Sequence, residues 1–134
     1  MKEPDASLFL RRSLLANAAF SAVSGLVFIF AAGSIADRTG LDDPLTLIIV
    51  GIFLVFYAVG LAVNALRPIV NLIEARVAIA LDIVWVISSA VLIIIGFLNM
   101  TGNWAAGILA DLVLVFAICQ FIGLRRVRRA RLAS

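Results

Sequence analysis

Four apolar runs, each about as long as a bilayer-crossing helix, constrain this chain more than any other feature. They occupy residues 13–35, 45–66, 77–98 and 105–124, with short polar or turn-forming stretches between them. About 20 apolar residues in helical form cross the hydrocarbon of a membrane. Lipid offers the backbone no hydrogen-bond partners, so such runs are helical. At 64% hydrophobic and 14% charged residues, the composition is far from the roughly 45–50% and 25% of a soluble domain. The expected fold is all-α: a polytopic membrane protein with one transmembrane four-helix bundle over residues 1–134.

The runs carry an internal echo. Asn17-x-x-Phe20-x-x-x-Ser24-Gly25 returns as Asp82-x-x-Trp85-x-x-x-Ser89-Ala90, at the same offset after Arg11 and Arg76. Leu54-Val55-Phe56 returns as Leu114-Val115-Phe116. This predicts two copies of a helical hairpin set side by side as parallel repeats, with the symmetry axis along the membrane normal. Inverted repeats, common in transporters, would relate the halves differently.

Charge sets the expected orientation. Lys2, Arg11, Arg12, Arg67, Arg76 and the C-terminal arginines fall on one side of the four runs, and Arg38 falls on the other beside Asp37, Asp42 and Asp43. The positive-inside rule then places both termini and the middle connection in the cytoplasm. A net charge of +3 with a pI of about 10 also suits nucleic acid. However, the basic residues flank membrane segments, and Arg125-Arg126-x-Arg128-Arg129-x-Arg131 has no interleaved aromatics. Lipid head groups are therefore the expected partner. A cleaved signal peptide does not fit, because the first run exceeds an h-region of about 7–15 residues.

Connections are legible in part. Asp43-Pro44 reads as a helix start, with a capping oxygen followed by proline at the first helical position, and Gly40 as a turn before it. A helix start at the interface is expected near Asp5. Segment 68–75 is amphipathic and suits the head-group region before the third helix. Segment 99–103 reads as an uncharged turn with an Asn99-x-Thr101 glycosylation tripeptide, followed by Trp104 as an interfacial anchor.

Carboxylates within the apolar runs are costly, about 2.5–3.5 kcal/mol each on insertion scales, and are the first candidates for a site. Asp82 lies about 9 Å beyond Arg76 along the third helix. By depth, Asn17, Asn64, Asp82 and Gln120 form one layer with a residue from each helix. Arg12 and Arg76 lie below it as charge partners, Arg12 facing Asp82. Such a layer either holds the bundle together through interhelical hydrogen bonds or forms a site for a substrate, proton or ion. A nearby arginine would keep Asp82 charged, which weighs against a relay. Asp111 has no acidic counterpart in the first half. It either bonds to Ser34, Arg38 or Thr46 or lines an outer pocket. The small residues Ala18, Ser21, Ala22 and Gly25, with Ser88, Ser89 and Ala90, predict that helices one and three touch. Phe20 and Trp85 are packing residues first and the flank of a lipid-like ligand second.

The chain has no histidine, one cysteine, Cys119, and one lysine, Lys2. Haem ligation, imidazole metal sites, an internal disulfide and a Schiff base are thus excluded or unsupported. No enzyme activity, cofactor or metal is expected.

The run from Leu10 to Gly25, together with Ala80-Leu81-Asp82-x-x-Trp85-Val86-x-Ser88-Ser89 and Gln120-x-x-Gly123-Leu124-Arg125-Arg126, resembles small four-helix bacterial inner-membrane proteins of unassigned function, loosely DoxX-like. The resemblance implies a bacterial inner membrane and lends no activity. The expected function is non-catalytic: binding a lipid-like molecule or a partner membrane protein, or self-association. The alternative is a small transporter or channel subunit using the layer around Asp82. An accessory subunit of a redox complex, by analogy alone, ranks below both.

Overall fold

The computed structural model describes residues 3–133 and, among them, side chains from Ala6 onward. Lys2, one of the basic residues used to orient the chain, lies outside the described residues. Five helices follow in order: α1 (Glu3–Phe30), α2 (Ala32–Thr39), α3 (Pro44–Leu66), α4 (Leu72–Ile94) and α5 (Met100–Ala133). All but α2 are long and apolar enough to cross a membrane.

Side-chain chemistry explains the ends of the helices. The Asp43 carboxylate accepts from Leu45 N at 2.9 Å, with Pro44 opening α3. The first run does not stay straight. It breaks at Ala31 (φ −112°, ψ 19°), although Ala31 N→Val27 O and Ile35 N→Ala31 O bonds of 2.9 Å carry the ladder across. The short α2 closes on Gly40, whose φ of 81° suits a residue without a Cβ. Helix α4 starts earlier than its apolar run suggests, at Leu72. There Asn71 Oδ1 accepts from Ile73 N (2.9 Å) and Glu74 N (3.1 Å), so residues 68–71 are a non-helical connection.

Residues 100–103, expected in a turn, already belong to α5. Asn99 Oδ1 accepts from Gly102 N at 2.8 Å, and its Nδ2 donates to Arg38 O at 2.9 Å. That side chain thus ties the start of α5 to the end of α2. Helix α5 then runs unbroken through the arginine cluster.

Helix α1 packs along α3 on one side and α5 on the other, α4 packs along α5, and α3 and α4 barely touch. Helices α1 and α4 therefore face each other across the bundle and do not run side by side. This corrects the expected contact between the first and third spans. Gly25, the small residue of that expectation, meets α3: a Cβ there would lie 2.7 Å from Gly51 O, and one on Gly51 would lie 2.6 Å from Gly25 O. Gly123 serves the other side of α1, where a Cβ would sit 2.7 Å from Leu10 Cα. Small residues let two helix backbones approach closely, which raises dispersion contact where lipid gives no hydrophobic drive.

The larger apolar core lies at the basic end, around Leu10, Leu14, Leu61, Val70, Leu124 and Val127. A smaller cluster of Ala32, Ala36 and Leu47 closes the other end. Large apolar side chains cover the outside, Phe56 at 73% and Ile94 at 81% exposure among them. Such a surface suits lipid as solvent and would be an aggregation hazard in water.

Candidate functional site

The polar layer forms at the centre of the bundle, built by three of the four expected residues and one that sequence reasoning missed. Asn17 Nδ2 donates to Asp82 Oδ2 at 2.9 Å and to Gln120 Oε1 at 3.0 Å. Gln120 Nε2 donates to the same Asp82 oxygen at 2.8 Å. Asn17 Oδ1 accepts from Ser21 Oγ at 3.2 Å. All three members are nearly or fully buried, Gln120 at 0% exposure.

The missed residue is Tyr57 of α3. Its hydroxyl lies 2.8 Å from Asp82 Oδ1 and 2.9 Å from Ala78 O. Tyr57 stands where Asn64 was expected. The signal that would have found it is the lone phenol in an apolar run, since a buried tyrosine hydroxyl almost always has a partner.

Asn64 has a different task. It is buried, accepts from Asn71 N at 2.7 Å and donates to Asn71 O at 3.0 Å. This two-way bond holds the α3–α4 connection. The expected charge partners are absent from the layer as well. Arg12 and Arg76 are exposed, and neither bonds to Asp82. The inward-turning arginine is Arg11, which donates to Ala65 O at 2.8 Å, Pro68 O at 3.0 Å, Ser7 Oγ at 3.0 Å and the carbonyl of Arg67. Those carbonyls are left free where α3 ends, and a cation is well placed there. Arg131 similarly donates to Val70 O at 2.7 Å. The basic end is stitched by arginine–carbonyl bonds, and Asp82 is held by neutral donors alone.

Above the layer is a cavity of about 30 Å³ lined by Asn17, Phe20, Ser21, Tyr57, Asp82 and Trp85, among others. Phe20 also packs on Phe116 with ring centroids 5.4 Å apart. Trp85 Nε1 is buried with no hydrogen-bond partner among the described residues. The second space is larger. Where α3 and α4 diverge, a seam of about 230 Å³ opens, lined by Tyr57, Gly60, Leu61 and Asn64 on one side and Ile73, Glu74, Val77, Ala78 and Leu81 on the other. Its end carries the Arg67–Glu74 ion pair, 3.0 Å long and partly exposed.

Asp111 sits apart from all of this. It is exposed and shares a shallow groove with Met100, Asn103, Trp104, Gly107 and Ile108, all on one face of α5. None of the bonds expected for it, to Ser34, Arg38 or Thr46, forms. Comparison with protein-family models, curated proteins and solved structures gives no match to this chain.

Proposed function

We propose that the chain is a non-catalytic integral membrane bundle that binds a lipid-like molecule in the seam between α3 and α4. The observation that carries this reading is the divergence of those two helices, the one side of the bundle left unpacked. The seam's volume of about 230 Å³ falls below the roughly 300–1,000 Å³ of an enclosed small-molecule site. Walled mainly by the aliphatic side chains of Leu61, Ile73, Val77, Ala78 and Leu81, it suits one acyl chain. The polar groups of Asn64, Glu74 and Arg67 gather at the basic end, where a head group would lie.

Several features accompany this reading. The basic end faces the cytoplasm of a bacterial inner membrane, with both termini there. The hairpins α1–α3 and α4–α5 are copies of one unit. The α5 face bearing Asp111 is where a partner membrane protein or a second copy would sit, because a carboxylate facing lipid is costly until it is covered.

A photoreactive acyl lipid tests the proposal. Crosslinks should concentrate between residues 57 and 64 and between 73 and 81, and Gly60→Trp should abolish them. Gly60 is suited to this because a Cβ there meets nothing within 4 Å, so the ring enters the seam without displacing the fold. Even labelling around all four long helices, unchanged by Gly60→Trp, would contradict the proposal.

A second reading, a small transporter or channel subunit working through the central layer, is favoured by the all-neutral surroundings of Asp82.

A further inference from the structure

The Tyr57 hydroxyl has one proton and two acceptors within reach, Asp82 Oδ1 at 2.8 Å and Ala78 O at 2.9 Å. It can donate to only one of them at a time. Asp82 Oδ2, by contrast, receives two N–H donors, from Asn17 and Gln120. Those two bonds fill its lone pairs, so Oδ1 is the oxygen free to carry a proton.

We propose that Asp82 and Tyr57 together form a proton-binding site that is fully hydrogen-bonded in both of its states. With Asp82 ionised, Tyr57 donates to Oδ1. With Asp82 protonated, the Oδ1–H group donates to Tyr57 Oη, and the tyrosine proton turns to Ala78 O. The bonds from Asn17 and Gln120 are the same in both states. No heavy atom has to move, so neither state leaves a buried polar group without a partner, the usual cost of protonating or ionising a group in a low-dielectric interior.

The surroundings permit both states. The group facing Asp82 from α1 is Asn17 and from α5 is Gln120, neither titratable. From α3 it is Tyr57. Among the described residues no arginine or lysine bonds to it, so no fixed cation holds the carboxylate in its charged form. Tyr57 is also the one polar side chain that lines both the central cavity and the α3–α4 seam. A proton therefore reaches the site through it. Hydronium in the seam gives a proton to Tyr57 Oη, the original phenolic proton passes to Asp82 Oδ1, and water, phenol and carboxylic acid remain. The two-state site stands on the central bonds alone, whereas the route through Tyr57 operates when water, and not an acyl chain, lies against Tyr57 in the seam.

Tyr57 is the chain's only tyrosine, so a tyrosine-specific isotope label reports on it alone. The test is a pH titration of the full chain in lipid bilayers with 13Cζ-tyrosine. The tyrosine carbon signal is followed by solid-state NMR and the carboxyl C=O band by infrared difference spectroscopy. The expected result is a buried-carboxyl band appearing on acidification, with a shift of the Tyr57 signal at the same midpoint, both lost in Asp82→Asn. If that variant does not fold, Asp111→Asn assigns the band instead, because the signal that follows Tyr57 must survive in it. A Tyr57 signal that stays fixed while the bundle remains helical would overturn the proposal. So would a shift at a different midpoint from the carboxyl band, or the lack of any such band.

Discussion

Asn17 donates to Asp82 across the full width of the bundle, 2.9 Å from amide nitrogen to carboxylate oxygen. Their helices, α1 and α4, do not pack along each other. The bond therefore links opposite corners of the bundle and closes its centre, with Gln120 from α5 and Tyr57 from α3 completing the shell. One carboxylate thus connects all four long helices.

Removing that carboxylate should be costly. Asp82→Ala takes away the acceptor of the Gln120 amide, which is left buried, and one of the two acceptors used by Asn17 and by Tyr57. Bonds between side chains in membrane bundles average about 0.6 kcal/mol and reach about 1.7. Bonds to a charged group run higher, about 1.5–3 kcal/mol. Unfolding from bicelles should show a loss of about 2–4 kcal/mol. A loss under about 0.5 kcal/mol would mean that the centre does not hold the helices.

The two neighbouring arginines should behave differently. Arg11→Ala uncovers the carbonyls of Ala65, Arg67 and Pro68, and a cost of about 1.5–3 kcal/mol is expected from bonds of that kind. Arg12→Ala changes an exposed side chain and should lie within about 0.5 kcal/mol of wild type. The same unfolding assay compares them, and equal effects would contradict the assignment.

Close backbone approach can be tested at the glycines. Gly51→Ala puts a methyl 2.6 Å from Gly25 O. Helices α1 and α3 must then separate, at a cost of about 1–3 kcal/mol as for other overpacked sites. Gly60→Ala, on the same helix but facing open space, should be neutral or stabilising by up to about 1 kcal/mol. Thermal unfolding in detergent measures both, and a neutral Gly51→Ala would show that the two helices do not cross there.

Asp111 offers the opposite case to Asp82. It is exposed, makes no hydrogen bond or ion pair to the residues expected to hold it, and belongs to no core cluster. In the isolated bundle, Asp111→Ala should change stability by less than about 0.5 kcal/mol. A larger loss in the same unfolding assay would show that it holds the monomer together.

Depth could be read from the sequence for three of the four expected residues, and the direction a side chain faces was less legible still. Residue counts put Asn17, Asp82 and Gln120 at one level, and there they meet. Asn64 lies about two turns nearer the basic end: the residue of α3 at that level is Tyr57, about 10 Å earlier on the same helix face, and Asn64 bonds to Asn71 where the helix ends. Each residue rotates the helix by about 100°, so an uncertainty of one position in the register redirects a side chain completely. The same geometry separates Arg11 from its neighbour Arg12. Pairing of helices was hidden for a related reason: Gly25 marks a place where another backbone comes near, but nothing in its surroundings says that the other backbone is Gly51. Tyr57 was overlooked because a hydrophobic stretch masks a hydroxyl. Capping was the most readable feature, since Asp43-Pro44 acts within a single turn and needs no tertiary contact.

A double-mutant cycle between Asn17 and Asp82, read by unfolding in bicelles, tests the central closure most directly. Asn17→Ala and Asp82→Ala should be non-additive by at least about 0.5 kcal/mol, the lower end for residues in direct contact, while Arg12→Ala combined with Asp82→Ala should be additive. Additivity of Asn17→Ala and Asp82→Ala within about 0.3 kcal/mol would contradict the account.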